Sequence, residues 1–121
     1  MSLNDLAYVI HRDNKSVGWW TEDQKNLPET EKITLIASKL ALIHSEVSEA
    51  LEGLRKGLMD DHLPDRKMFE VELADTIIRI LDLAGFCELD LEGALHEKLL
   101  YNKNRADHKL ANRAKAGGKT I

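Results

Sequence analysis

The sequence predicts an all-α protein of four to five helices, built around a central antiparallel helical hairpin and assembled as an oligomer. Three observations support this fold class. Apolar residues recur at steps of three and four along most of the 121-residue chain, as on one face of a helix. Only two prolines and seven glycines interrupt the chain. No segment shows the alternation of apolar and polar residues that is typical of a half-buried strand.

The first predicted helix begins after Ser2, a residue type that caps helix N-termini. Its apolar face carries Leu3, Leu6 and Ile10. Gly18 then opens a loop that Pro28 closes, and this loop contains Trp19 and Trp20. Either tryptophan can stack on a nucleobase, although tryptophans of a small helical protein more often fill its core.

Two long helices are predicted to form the hairpin. The first starts between Glu29 and Glu31 and stops at Gly57, a residue type that favours helix C-termini. Its apolar stripe consists of Ile33, Ile36, Leu40, Ile43, Val47, Leu51 and Leu54. The second is predicted to be capped by Asp65 and to run to about Phe86.

The second helix of the hairpin is apolar on more than one face near its C-terminal end. The residues concerned are Ile77, Ile78, Ile80, Leu81, Leu83 and Ala84. A helix of this kind needs cover on two sides, which favours a subunit interface in a homodimer or homotetramer.

Asp90 is predicted to cap a last helix that runs towards Arg105. We therefore expect one all-α domain over residues 1–106, followed by a basic C-terminal tail of the same domain at 107–121.

The formal net charge of −4 hides an uneven distribution of charge. Residues 1–97 have a net charge of −10, whereas residues 98–121 have a net charge of +6. No run of about 18 apolar residues exists to span a membrane. The N-terminus lacks the pattern of a secretory signal, and the single cysteine, Cys87, excludes an internal disulfide. These features predict a cytoplasmic protein with no membrane partner.

Two carboxylate pairs are the most informative feature of the hairpin. Glu46 and Glu49 lie on its first helix, and Glu72 and Asp75 lie on its second. A spacing of three residues places both members of a pair on one helix face. The pairs are predicted to lie about 12 and about 10.5 Å from the turn, at 1.5 Å per residue. Although acidic pairs usually just face water, this matched height predicts that all four carboxylates lie at one level.

Four clustered carboxylates repel one another unless their pKa values rise or a cation binds. Oxygen ligands alone favour Mg²⁺, with Mn²⁺ as a substitute. A di-iron bundle is the alternative, but it would need Glu-x-x-His motifs. Neither His44 nor His96 has a glutamate three residues before it, so magnesium is the preferred prediction.

A basic stripe on the last helix consists of Lys98, Asn102 and Arg105. It can hold phosphate charge beside a bound cation, or it can be a solvated face that complements the helix dipole. Arg79 continues the face of Glu72 and Asp75 and is expected to pair with one of them or with Asp82. Lys39 is expected to face solvent.

Taken together, these motifs resemble those of the MazG-like nucleoside triphosphate pyrophosphohydrolases, an all-α superfamily. The resemblance rests on Glu46-x-x-Glu49, 22 intervening residues and Glu72-x-x-Asp75. The surrounding segments LIHSEVSEALEGLRKG, VELADTIIRILDLAG and KLLYNKNR are also similar, and the resemblance extends from about Asn4 to Arg105. Ile78 and Arg79 stand where the phosphoribosyl-ATP branch of this superfamily usually has Tyr-His.

The resemblance implies a MazG-like bundle and the Mg²⁺-dependent hydrolysis of a nucleoside triphosphate to the monophosphate and pyrophosphate. The metal ligands would be Glu46, Glu49, Glu72 and Asp75, with Glu46 and Glu49 as the catalytic candidates. Phosphates or sugar would be contacted by Lys98, Asn102 and Arg105. The loop with Trp19 and Trp20 would border the base, with Trp20 as the substrate-binding candidate. Family members are dimers or tetramers whose sites form between subunits.

The sequence is also compatible with two other classes of function. One is a non-catalytic helical module for oligomerisation or nucleotide sensing, in which the acids form a solvated face. The other is a nucleic-acid-binding protein that uses residues 98–121. Nucleic acid is not an expected partner, because the net charge of −10 on residues 1–97 would repel its phosphate backbone.

Overall fold

The computed structural model describes residues 1–105, which contain four α-helices and no β-strand. The helices are α1 (Leu3–Ser16), α2 (Glu29–Lys56), α3 (Met68–Phe86) and α4 (Leu91–Asn104). A short 3-10 helix, Glu22–Asn26, lies between α1 and α2. The all-α fold class is therefore confirmed. The predicted tail at 107–121 lies outside the described residues.

The chain divides into two compact units. The first, Met1–Leu89, contains α1, α2 and α3, and the second begins at Asp90 and contains α4. Within residues 1–105, no helix combines the length and apolarity needed to cross a membrane.

Three of the predicted helix ends agree with the structure, and each is explained by its cap. The Ser2 hydroxyl accepts a hydrogen bond from the Asp5 amide at 3.1 Å, and the Asp5 carboxylate accepts one from the Ser2 amide. Gly57 ends α2 in the left-handed conformation, with φ of 63°. The Asp90 carboxylate accepts from the Gly93 amide at 2.9 Å and so caps α4.

The predicted start of α3 is wrong, because Asp65 does not cap this helix. The N-cap is Lys67, and its side chain makes no capping hydrogen bond. Lys67 instead pairs with Met59 in an isolated antiparallel bridge, and the Met68 amide donates to the Leu58 carbonyl at 2.9 Å. Helix α3 therefore begins two residues later than the capping signal predicts.

Helix α3 is the centre of the first unit, since both α1 and α2 pack against it. Buried apolar side chains form a small core: Ala7, Trp20, Ala50, Leu81, Leu83, Ala84 and Phe86. Gly85 permits the close approach of α1. A Cβ atom at Gly85 would lie 2.7 Å from the His11 Cβ and 2.8 Å from the Ala7 carbonyl oxygen.

Helix α1 thus buries part of the second apolar face of α3. Apolar side chains on the hairpin nevertheless stay exposed within the described structure. On α2 they include Ile33, Leu40, Val47, Leu51 and Leu54, and on α3 they include Phe69, Leu73, Ile77 and Ile80. These residues define the exposed apolar face of the hairpin.

Candidate metal centre

The hairpin brings three of the four predicted carboxylates into one cluster. Glu46 comes from α2, and Glu72 and Asp75 come from α3. One carboxylate oxygen from each of them lies within 4.8 Å of the others. Glu46 and Glu72 are each only 8% exposed, and Asp75 is half-buried. These three residues are named the carboxylate cluster.

The fourth predicted acid, Glu49, lies at the exposed edge of the cluster. It follows Glu46 by almost one helical turn, so that its carboxylate reaches the same group of side chains while remaining exposed. Its hydrogen bonds and charge act on the pKa values of Glu46 and Glu72. The two acidic pairs therefore meet, with Glu49 at the rim.

Glu72 is the most perturbed member of the carboxylate cluster. Burial is the largest of the causes that together raise its pKa to about 8. The others are hydrogen bonds in which its protonated form donates to Glu46 and Glu49, and the negative charges of these two carboxylates. The Oε2 atom of Glu72 is buried and has no N–H or hydroxyl donor among the described residues. This oxygen can be satisfied by its own proton or by a cation.

Glu46 has the opposite behaviour, although it is equally buried. Burial acts to raise its pKa, but hydrogen bonds from Glu72 and Arg79, together with the positive charge of Arg79, hold it below its usual value. Arg79 Nε donates to Glu46 Oε1 at 2.7 Å. Arg79 was expected to pair with an acid of its own helix, and its actual partner is on α2 because the hairpin places these faces together.

Asp75 also has a raised pKa, first through burial and then through the charge of Glu46. The Asp60 carboxylate raises it further. Asp60 is buried in the α2–α3 connection, where its Oδ2 accepts hydrogen bonds from the amides of His62 and Leu63 at 2.9 and 2.8 Å. The sequence pattern did not single out Asp60, although an Asp two residues before His62 in a connection that contains Pro64 is typical of a turn.

The donor set fits a divalent cation. Three carboxylate oxygens converge, and the unpartnered Glu72 Oε2 needs either a proton or a metal. Oxygen donors of this kind suit Mg²⁺ or Mn²⁺. Arg79 already places one positive charge on Glu46, so a cation at this carboxylate would compete with the guanidinium.

A buried network fixes the tryptophan loop, residues 17–28, beside the hairpin. The Asp82 carboxylate accepts hydrogen bonds from His11 Nδ1 at 2.8 Å, from Asn14 Nδ2 at 3.0 Å and from Trp20 Nε1 at 2.9 Å. Trp20 is only 4% exposed and stacks on Phe86 with 4.3 Å between ring centroids. Trp20 thus lies in the core. Of the two roles that the sequence left open for it, stacking on a nucleobase or filling the core, the structure shows the second.

The other indole of this loop is placed differently. Trp19 is 46% exposed, and the Arg79 guanidinium lies 5.5 Å from its ring centroid. Lys39 does not simply face solvent, as was expected, because its Nζ lies 4.2 Å from the centroid of the Trp20 ring. Of the two tryptophans, Trp19 is the one with a surface that a planar ligand can reach.

The predicted basic stripe belongs to the second unit. Lys98 is exposed and lies over the Tyr101 ring, with 4.5 Å from Nζ to the centroid, and Asn102 is half-buried. Arg105 is the extended C-cap residue that follows α4. The phosphate contacts predicted for Lys98, Asn102 and Arg105 stay predictions.

Comparison with known proteins identifies no relative. No family model, no curated protein and no solved structure gives a significant match to the chain. The resemblance to the MazG-like enzymes therefore stays a prediction from the motifs.

Proposed function

We propose that this protein is a Mg²⁺-dependent nucleoside triphosphate pyrophosphohydrolase of the MazG-like kind. Its substrates would be deoxynucleoside triphosphates or modified nucleoside triphosphates, which it would remove from the nucleotide pool as a house-cleaning enzyme. The observation that supports this proposal is the carboxylate cluster with its buried, unpartnered Glu72 Oε2. A cation held there would retain open positions for water and phosphate oxygens.

The carboxylates would have different roles, according to how deeply each is buried. Glu46, Glu72 and Asp75 converge and would hold the cation, while the exposed Glu49 at the rim would orient the attacking water. A bound Mg²⁺ would supply Lewis-acid polarisation of the phosphoryl group and increase the acidity of water. Cleavage between the α- and β-phosphates would yield the monophosphate and pyrophosphate.

Product analysis tests this function directly. The full-length chain is incubated with Mg²⁺ and a panel of deoxynucleoside triphosphates, and pyrophosphate and orthophosphate are measured separately. We expect pyrophosphate release, with a loss on the order of 100-fold in Glu49→Ala and Asp75→Asn. Glu70→Gln is the matched control, because Glu70 lies on α3 and, among residues 1–105, pairs only with Arg66 at the surface. Orthophosphate as the product, or full turnover in Glu49→Ala, would contradict the proposal.

A second candidate is a non-catalytic helical module for oligomerisation or nucleotide sensing. The Arg79–Glu46 ion pair favours it, since this pair partly neutralises the acids without a metal. Calorimetry separates the two candidates. The enzyme requires saturable Mg²⁺–nucleotide binding that Asp75→Asn weakens, whereas a module whose acids form only a solvated face requires no binding that depends on Asp75.

The proposed assembly is a homodimer or homotetramer. Its support is the exposed apolar face of the hairpin, which runs along both α2 and α3. A second copy of this chain would remove these side chains from water, at about 25 cal/mol for each Å² of apolar surface buried.

A further inference from the structure

Two cationic side chains line one cleft of the first unit, and one of them, Arg79, contacts the carboxylate cluster. Arg79 and Lys39 line this narrow cleft together with Trp19, Trp20, Asp82 and Leu83. Its volume of about 10 Å³ leaves room for about one water molecule, so a larger anion would meet the two cations at its opening. Arg79 approaches the ring of Trp19, and Lys39 approaches the ring of Trp20. Neither cation belongs to the basic stripe of α4 that the sequence predicts as the phosphate-binding element.

Arg79 links the cleft to the carboxylate cluster. Only its Nε donates to Glu46, and within residues 1–105 the guanidinium makes no other hydrogen bond. A guanidinium carries five N–H donors in a planar fork, so most of this capacity is unused. The side chain is 27% exposed, which leaves it accessible to an anion that arrives from solvent.

The positive charge of Lys39 is less neutralised than that of Arg79, which pairs with Glu46. No carboxylate oxygen of the described chain lies within 4.0 Å of the Lys39 Nζ, which lies instead 4.2 Å from the centroid of the Trp20 ring. A cation above an indole ring gains about 0.5–2 kcal/mol, which holds the ammonium in place without neutralising it. Lys39 is thus a cation positioned at the cleft with no anion of its own.

We propose that Arg79 and Lys39 bind the phosphate chain of the nucleotide, and that Arg79 exchanges Glu46 for a phosphate oxygen when the metal complex arrives. This inference rests on the proposed function and deepens it. Because Arg79 pairs with Glu46, a cation bound at Glu46 would compete with the guanidinium for this carboxylate. Phosphate oxygens bound with that cation would then lie near the guanidinium. Arg79 therefore has a donor set ready at the place where the new negative charge appears.

Binding measurements test the proposal without relying on turnover. The probe is inorganic triphosphate with Mg²⁺, titrated calorimetrically into the full-length chain. We expect Arg79→Ala and Lys39→Ala each to weaken binding about tenfold or more, and Arg79→Lys to restore part of the loss. The matched controls are Arg66→Ala and Lys56→Ala, whose side chains pair with Glu70 and Glu52 at the surface. Both controls should bind as the wild type does.

A second titration separates phosphate binding from mere support of Glu46. Binding of Mn²⁺ alone is followed by electron paramagnetic resonance. Because Arg79 competes with metal, Arg79→Ala should bind Mn²⁺ at least as tightly as the wild type while binding triphosphate more weakly. If Arg79 only held Glu46 in position, its removal would weaken the binding of both ligands, and the proposal would be overturned.

The remaining outcomes also decide between the two proposals. A wild-type chain that does not bind Mg²⁺–triphosphate, or variants that bind it normally, would overturn the roles of Arg79 and Lys39. Pyrophosphate release from nucleotides by those same variants at the wild-type rate would leave the proposed function intact. Conversely, the expected binding pattern without any nucleotide hydrolysis would support the phosphate site and refute the hydrolase.

Discussion

At the scale of single residues, burial distinguishes this cluster from an ordinary acidic surface. Glu72 and Glu46 have the same exposure and share a hydrogen bond, yet their pKa values move in opposite directions. Arg79 touches Glu46 and so fixes the negative charge there. The proton consequently stays on Glu72, and a cation that bound at this oxygen would have to displace it.

The first prediction concerns Glu72 and pH. Its folded-state pKa of about 8 exceeds its ordinary value of 4.5, so the native state binds more protons than the unfolded state between these values. The free energy of unfolding of the metal-free protein should therefore fall as pH rises from about 5 to about 8, by about 1–3 kcal/mol. Glu72→Gln should lose most of this dependence. Urea denaturation at several pH values with a chelator measures it.

Added Mg²⁺ provides the control for this first prediction. A bound cation favours the ionised carboxylate, so the wild type should regain stability at pH 8 when Mg²⁺ replaces the chelator. Glu70→Gln should follow the wild type under both conditions. A flat pH dependence in the metal-free wild type would contradict the account of Glu72.

The second prediction concerns Asp82. This buried carboxylate receives hydrogen bonds from α1 and from the tryptophan loop, and it is only 5% exposed. Asp82→Asn should lower the free energy of unfolding by about 2–4 kcal/mol, because an amide turns one acceptor into a donor that faces other donors. Asp13→Asn is the matched control on α1, where the pair with Arg12 is exposed and worth little. Tryptophan fluorescence during urea denaturation measures both variants.

At the scale of elements, α3 organises the first unit. One side of it carries the carboxylates towards α2, and another side accepts α1 at Gly85. This double packing explains its apolar residues on more than one face without requiring that all of them contact a partner subunit. The same helix thus connects the candidate metal centre to the buried Asp82 network.

The third prediction tests the contact between α1 and α3. In Gly85→Ala the new methyl group would collide with His11 and the Ala7 carbonyl. We expect a loss of about 1–3 kcal/mol in the free energy of unfolding, despite the better helix propensity of alanine. Ser48→Ala on the exposed surface of α2 is the control and should change little. A Gly85→Ala variant as stable as the wild type would show that the helices separate at little cost.

At the scale of the whole molecule, we expect another protein chain to cover the exposed apolar face of the hairpin. Ile33, Leu40, Val47, Leu51 and Leu54 follow one another along α2 at helical spacing, and exposed residues of α3 extend the surface. Large contiguous apolar surfaces are uncommon on monomeric proteins. Self-association through this face is therefore the simplest assembly to test.

The fourth prediction tests that assembly. Leu51 is 57% exposed, so Leu51→Lys should leave the stability of an isolated chain almost unchanged while placing a charge in the proposed interface. Light scattering coupled to size exclusion should show an oligomer for the wild type and a smaller species for the variant. Ser38→Lys is a control for added charge on the same helix, because Ser38 is exposed and is not three or four residues from any apolar residue of this face on α2. A monomeric wild type would refute the proposed oligomer.

The sequence by itself determined the helical fold and most of its boundaries, because helix periodicity and caps such as Ser2, Gly57 and Asp90 are local properties. It also determined that the two acidic pairs lie at similar distances from the turn of the hairpin, because these distances follow from the rise per helical residue and from the short connection. It failed at Asp65, where pairing between Met59 and Lys67 outweighed a local capping preference.

Only the tertiary structure decided how these groups face one another. Rotation of α2 against α3 selected Glu46 as the partner of Arg79, left Glu49 at the rim and brought Asp60 towards Asp75. It also buried Trp20, exposed Trp19 and aligned Lys39 with the indole ring. These relations depend on packing between residues that are distant in sequence. Periodicity can be read from a single segment, but packing between segments cannot.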